Sequence, residues 1–289
     1  MKFQNSIQKK QIVILGAGES GAGAAMLAAK KGYNVFVSDN GKIQNKQKMI
    51  LNKHKINWEE DRHTLKKILH ADEIIKSPGI PEKCDLIQTI RASGIKIISE
   101  IEFASRYTNS IMIAITGSNG KTTTSNLAFH LLKKAGFNVG LAGNVGVSFA
   151  RMVATKNYDY YVLELSSFQL DDMYSFRAHI AILLNVTPDH LDRYDYKFSK
   201  YLKSKFRITR NQTEEDYLVF NADDDEIIKE LKMKNEKLKM NLLPFSIKKE
   251  LKNGGYVKNK NLMINYNNKT EKIMSTEMLS LQGKHNVYN

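Results

Sequence analysis

Residues 113–127 read IAITGSNGKTTTSNL, and this stretch limits the possible folds more than any other. An apolar run suited to a strand passes into a glycine-containing turn, and Lys-Thr-Thr then opens a helical pattern. Strand, tight turn and helix in direct succession is the building unit of parallel sheets flanked by helices. The turn's N–H groups, the positive end of the following helix and a lysine together suit a phosphate. In the usual P-loop a further glycine stands five residues before the Gly of Gly-Lys-Thr, and here that position is Ile115. The residues alone leave two readings, a shortened phosphate loop or a glycine turn that only caps a helix.

The same grammar opens the chain. QIVILGAG reads as a strand, SGAGAAMLAAKKG as a helix closing on Gly32, and NVFVSD as a second strand. Gly16-Ala17-Gly18-Glu19-Ser20-Gly21 fits G-x-G-x-x-G, and Asp39 follows eighteen residues after Gly21. That spacing suits a nucleotide diphosphate at a helix N-terminus, with the acid on a ribose hydroxyl. It specifies neither nicotinamide nor uridine, so NAD and a UDP-linked ligand stay open beside a purely structural turn. Further strand runs lie in ADEIIKSPGI and GIKIISEIEF. The rhythm restarts near Thr108-Asn109 and continues through NVGLAG, YDYYVLELSS, AHIAILLNV and DYLVFNADD. From about Ile247 the segments look like short antiparallel additions. The expected fold is α/β: a Rossmann-like domain over 1–109, then a P-loop-type central domain over 110–289, with a mainly parallel sheet and a small antiparallel addition.

Composition removes several classes. Hydrophobic residues make up 42% and charged residues 26%, as in ordinary globular chains. No apolar run approaches the ~18 residues of a membrane span, and the single cysteine, Cys84, rules out an internal disulfide. A cytoplasmic protein without membrane contact is expected. The net charge of +14 invites a polyanion, but the lysines are scattered through Lys/Asn-rich stretches with few aromatics or arginines placed for base stacking. These read as solvated faces, and no nucleic-acid partner is expected.

Two more segments carry chemistry. In YVLELSSFQLDDM, Glu164 sits inside an otherwise apolar strand, where an unpaired carboxylate would cost several kcal/mol, so it either holds a metal ion or lies on a half-exposed edge strand. In ILLNVTPDHLDRYDYKFSKYLKSKFRI, two acids and His190 crowd the C-terminal end of a strand, where open α/β sheets bind ligands. Tyr201 and Lys205 follow on a helix, four apart and on one face.

Together these segments resemble the Mur ligase family, the ATP-dependent amide ligases of peptidoglycan synthesis. TGSNGKTT is the family's shortened phosphate loop, and LELSSFQL, NVTPDHLDRY, SPGI and AGNVG are similar to the branch that adds D-glutamate to UDP-N-acetylmuramoyl-L-alanine. The resemblance implies an acyl-phosphate mechanism dependent on ATP and Mg²⁺, in an enzyme of cell-wall synthesis and hence of cell shape and division. It implies ATP contacts at Gly117, Ser118, Asn119, Gly120, Lys121, Thr122 and Thr123, with Thr122 and Glu164 on one Mg²⁺ and His190 on a second. Lys205 matches the lysine that the family carbamylates with CO₂, so Lys121, Glu164, His190 and Lys205 form the implied catalytic set, supported by Tyr201. Gly16, Ser20, Asp39, Asn40 and Ser77-Pro78-Gly79, with Asn144 and His190, are the implied contacts of the UDP-substrate, and a monomer is implied.

Two departures stand out. Asn40-Gly41-Lys42 replaces a hydroxyl and an arginine that relatives often place after the acid, with Lys42 as a substitute. LQGKHNVYN matches the family's G-x-H-N element and puts Asn286 and Asn289 near the nucleotide, but relatives then continue into a third domain that completes the D-glutamate site. The expectation is a two-domain fragment that does not ligate alone. The competing readings are a non-catalytic UDP-sugar-binding module, a sibling ligase with another amino acid, and an NAD-dependent oxidoreductase.

Overall fold

A computed structural model describes residues 9–234, 238–281 and 283–289. It comprises two compact units. One takes residues up to 109 together with 146–157 and 171–176, and the other takes 110–145, 158–170 and 177–289.

The first unit alternates β1 (Gln11–Leu15), α1 (Glu19–Lys30), β2 (Asn34–Ser38), α2 (Asn45–Lys53), β3 (Asn57–Glu59), α3 (Leu65–Ile68), β4 (Glu73–Lys76), α4 (Asp85–Ala92), β5 (Lys96–Ile98) and α5 (Glu100–Ser105). Its sheet runs β3-β2-β1-β4-β5, parallel throughout. The central strands are buried on both faces, which is why QIVIL and EIIK read as apolar runs rather than alternations. The strand order reverses between β1 and β4, so their C-terminal ends frame the crevice where such sheets bind ligands. β3 is a three-residue edge strand, too short for any periodicity to reveal.

The second unit opens with β6 (Ile111–Thr116), α6 (Lys121–Lys134) and β7 (Val139–Gly143). Helix α7 (Phe149–Thr155) belongs to the first unit, after which come β8 (Tyr160–Glu164), α8 (Ser167–Asp171), β9 (Ile180–Leu183), α9 (Phe198–Phe206), β10 (Tyr217–Asn221) and α10 (Asp225–Lys234). Strands β11 (Asn241–Ser246), β12 (Gly254–Lys258), β13 (Asn261–Tyr266) and β14 (Lys269–Ser275) and helix α11 (Lys284–Tyr288) complete it. The sheet order is β14-β13-β12-β11-β10-β9-β6-β8-β7. The antiparallel addition begins later than its sequence suggests, because β12 joins β11 in parallel and only β12-β13-β14 alternate in direction. β6 lies between β8 and β9, with Ile113, Ile115, Val162 and Leu184 in the core beneath α6.

The sequence assigned all of 110–289 to one domain, whereas 146–157 and 171–176 pack with the first unit for identifiable reasons. Ser148, the N-cap of α7, donates to the buried Glu100 carboxylate at 2.7 Å. Glu102, fully buried, accepts the backbone N–H groups of Tyr174, Ser175 and Phe176 at 2.8–3.1 Å. Asp172 pairs with Lys76 at 3.0 Å, both almost wholly buried, and with Arg91 at 2.7 Å. Removing one member of such a buried pair costs about 3–5 kcal/mol. Among the described residues no helix is long and apolar enough to cross a membrane.

Candidate active site

The phosphate loop leaves the C-terminal end of β6, in the middle of its sheet. Gly120 holds φ +84° and caps the N-terminus of α6, a conformation that glycine adopts without strain. The loop is clasped from two sides. Asn185 Oδ1 accepts the Asn119 N–H at 2.9 Å, and Asn185 Nδ2 donates to the Asn119 carbonyl at 3.1 Å. Ser118 Oγ donates to the Thr187 carbonyl at 2.9 Å and accepts the Thr187 N–H at 3.0 Å. With that single proton committed, the Tyr201 hydroxyl is the donor in its 3.0 Å contact with Ser118 Oγ. Burial raises the Tyr201 pKa, which keeps that proton in place.

Lys121 bends back onto its own loop and donates to the carbonyls of Gly117 and Ser118 at 2.9 and 2.8 Å. Burial lowers its pKa, against the opposing pull of Glu164 and Asp189. Lys205, 2% exposed, donates to the same Gly117 carbonyl at 2.7 Å and lies over the Tyr201 ring at 4.7 Å. Two ammonium groups therefore meet at one oxygen. The shared face of Tyr201 and Lys205 points at the loop, which a four-residue spacing by itself does not say.

Glu164 ends β8, an interior strand, and is 3% exposed, so the edge-strand alternative does not hold. Its Oε2 accepts from Thr122 Oγ1 at 2.8 Å and its Oε1 from Asn144 Nδ2 at 3.1 Å. Thr123 follows on α6 in the same first turn. His190 stands apart: its side chain is 58% exposed, 3.6 Å from Asp189, with its ring against Phe168. At the end of the chain, a Cβ on Gly120 would collide with Asn289 Oδ1, so the Asn289 side chain lies against the loop. Asn286 is half-buried in α11, and Tyr288 anchors that helix through a 3.1 Å bond from its hydroxyl to Asp223 Oδ2.

The first unit has its own turn. Gly16 takes φ +87°, and a Cβ at Gly21 would run into the Gly16 carbonyl oxygen, so α1 starts directly against the turn. Ser77, at the head of Ser77-Pro78-Gly79, donates to the Gly16 carbonyl at 3.3 Å across the point where the strand order reverses. Asp39 accepts the N–H groups of Ala17 at 2.6 Å and Gly41 at 2.8 Å. Ser20 is half-buried at the start of α1, and Asn40 is exposed beside Asp39. Gly16, Asp39 and Ser77 are thus joined, whereas Asn144 and His190 belong to the second unit.

Residues 115–289 match the Mur ligase middle domain and residues 11–86 the MurD N-terminal domain. The chain belongs to the Mur ligase family. Curated relatives named UDP-N-acetylmuramoylalanine--D-glutamate ligase are 55% identical over 280 residues in Christiangramia forsetii and 56% identical over 283 in Bacteroides fragilis. Each comparison covers 97% of this Mur ligase chain and 62% of the relative, so the chain spans less than two thirds of their length. A solved ligase of Neisseria meningitides that acts on UDP-N-acetylmuramate and L-alanyl-gamma-D-glutamyl-meso-diaminopimelate shares the fold, with a TM-score of 0.64 at 20% identity over 97% of this chain and 90% of that one.

This Mur ligase chain also uses residues to which the sequence reading gave no role, although they open the motif NVTPDHLDRY. Asn185 and Thr187 clasp the phosphate loop. Among the described residues no three His, Cys, Asp or Glu side chains converge as a metal cage. The donor set at the loop is instead one hydroxyl and one carboxylate, hard oxygens that suit Mg²⁺, an ion commonly held by one or two carboxylates together with substrate phosphates.

Proposed function

We propose that this chain is the nucleotide-handling part of an ATP-dependent ligase joining D-glutamate to UDP-N-acetylmuramoyl-L-alanine. The observation that carries the reading is the Thr122–Glu164–Asn144 hydrogen-bonded group beside Lys121, at the end of a central strand. Phosphoryl transfer requires positioning and charge neutralisation more than a covalent protein group. In this reading the carboxylate of the alanyl substrate attacks the γ-phosphorus of ATP, ADP departs, and the D-glutamate amine then displaces phosphate from the acyl carbon with loss of a proton. Lys121 swings from its loop carbonyls onto the β- and γ-phosphates. Thr122 and Glu164 hold Mg²⁺, which when bound spreads the phosphate charge, and His190 serves a second ion near the acyl phosphate.

Lys205 carries a CO₂-derived carbamate in the active form. Its amine then loses the positive charge that crowds Lys121 at the Gly117 carbonyl and gains an anion that attracts a cation. The remaining loop residues, Gly117 to Gly120 with Thr123, line the ATP phosphates, and Asn286 and Asn289 lie toward the nucleoside. In the first unit Gly16, Ser20, Asp39, Asn40 and Ser77-Pro78-Gly79 take the UDP portion, and Asn144 and His190 serve the reacting end. The substrates place the reaction in peptidoglycan synthesis.

The test is phosphate release from ATP, Mg²⁺ and UDP-N-acetylmuramoyl-L-alanine, with and without D-glutamate. It is run on this chain and on one extended to the full length of the relatives. Turnover by the extended chain that needs both substrates supports the reading. Turnover only with another amino acid transfers the chain to a sibling activity. Tight NADH binding with no affinity for the UDP-substrate overturns it.

A further inference from the structure

Asp223 and Asp224 follow just beyond the C-terminal end of β10, and because β10 runs parallel to β9 and β9 to β6, they stand at the same edge of the sheet as the phosphate loop. Two free carboxylates at that edge would repel the phosphates of a nucleotide. These two are engaged at all four oxygens. Asp223 Oδ1 accepts from Ser246 Oγ at 2.7 Å, and its Oδ2 accepts the Ile247 N–H at 2.8 Å and the Tyr288 hydroxyl at 3.1 Å. Asp224 Oδ1 accepts the N–H groups of Glu226 and Ile227 at 3.1 and 3.2 Å and so caps α10, while its Oδ2 accepts the Val186 N–H at 2.8 Å.

Two of these bonds reach the site. Val186 lies between Asn185 and Thr187, whose bonds to Asn119 and Ser118 clasp the phosphate loop. Asp224 thereby ties the clasp to the first turn of α10. Tyr288 precedes Asn289, whose side chain lies against Gly120. The Tyr288 ring meets Phe245 of β11 edge-on with centroids 6.5 Å apart, so ring and hydroxyl together hold α11 in place. Burial and the neighbouring Asp223 push the Tyr288 hydroxyl up to about 12, so it keeps the proton it donates. Hydrogen bonds to a carboxylate are roughly twice as strong as neutral ones, which suits both acids to fixing a backbone beside a site.

We propose that Asp223 and Asp224 are positioning residues that divide the nucleotide between them. Asp223, through Tyr288, sets Asn289 for the nucleoside end of ATP, and Asp224, through Val186, sets the clasp that aligns the loop with the transferred phosphate. The inference rests on the ATP-dependent ligase reading and deepens it, with neither acid touching the nucleotide.

The experiment is steady-state phosphate release by the chain extended to its relatives' length, with ATP and UDP-N-acetylmuramoyl-L-alanine each varied in turn. Tyr288→Phe removes the hydroxyl and keeps the ring against Phe245. It should raise KM for ATP about tenfold and leave kcat within about twofold, the pattern of lost ground-state binding. Asp224→Ser keeps a cap oxygen for α10 and removes the acceptor of the Val186 N–H, with Asp224→Asn in its place if the serine variant does not fold. It should lower kcat about tenfold with a smaller effect on KM for ATP. KM for the UDP-substrate should stay within about twofold in both, which a general loss of structure would not spare. Unchanged ATP kinetics in either variant, or the same pattern in both, overturns the division of roles while the ligase reading stands. If the unchanged chain does not turn over, that reading falls and this inference falls with it.

Discussion

The two glycine turns solve different problems with the same strand-turn-helix grammar. The turn at Gly16–Gly21 contains no lysine or arginine, and it is braced by backbone, by Ser77 and by the Asp39 carboxylate. The loop at Gly117–Lys121 gathers two lysines, a buried carboxylate and a tyrosine. A diphosphate that is only held keeps its charge and can be met by N–H groups and a helix end. A phosphate that is transferred changes its charge distribution, so cations and a metal-binding oxygen must stand ready. On the proposed function, the contrast is between holding and transferring.

The sharpest way to break this contrast is Lys121→Ala in the chain extended to its relatives' length. ATP-dependent phosphate release should fall at least ~10³-fold, whereas UDP affinity measured by calorimetry should stay within about twofold. Loss of both would mean that the turns do not divide the work. Glu164→Gln keeps the shape and the bond from Thr122 but removes the charge. Turnover should drop by about 10²-fold and the Mg²⁺ concentration for half-maximal rate should rise. Gly21→Ala tests the other turn, because its Cβ meets the Gly16 carbonyl. UDP affinity should weaken by about tenfold or more, with ATP affinity unchanged.

The effect farthest from either turn concerns Glu100, which accepts from Ser148 and the Ala150 N–H of α7. Burial pushes its carboxyl up to about 7, against the Ala150 N–H and Ser148 hydroxyl and with a further push from Glu19. The folded value lies above the ordinary 4.5, so the folded chain retains a proton that the unfolded chain has lost between those values. Stability contributed there is present below about pH 4.5 and declines toward pH 7, by at most about 1.4 kcal/mol per pH unit. Glu100→Gln should flatten the melting temperature over that window, and a parallel decline in the variant would assign the slope to other groups. Glu59 behaves oppositely. Burial raises it, but Thr64, Ser38 and Lys67 together hold it down to about 2, so its contribution is lost only as pH falls from about 4.5 to 2.

What the sequence disclosed was local. β1, α1, β2, β6 and α6 were legible because strand, turn and helix follow one another within a few residues. So was the common face of Tyr201 and Lys205. β3 was not, since three residues at a sheet edge carry no period. The attachment of α7 and 171–176 to the first unit was also invisible, because it depends on Glu100, Glu102 and Asp172 meeting partners 48 to 96 residues away. The clasp of Asn185 on the phosphate loop spans 66 residues and leaves no local signature.

The passage of the chain through 146–157 and 171–176 has a consequence for inheritance. Neither unit is a continuous stretch of the gene, so neither could be exchanged as a cassette between lineages. A recombination joint at residue 109 would carry off Ser148 and the backbone at 174–176, leaving the Glu100 and Glu102 carboxylates buried without their donors. Joints are tolerable only where a donor brings both segments along, so the surroundings of Glu100 and Glu102 are inherited together with 146–157 and 171–176.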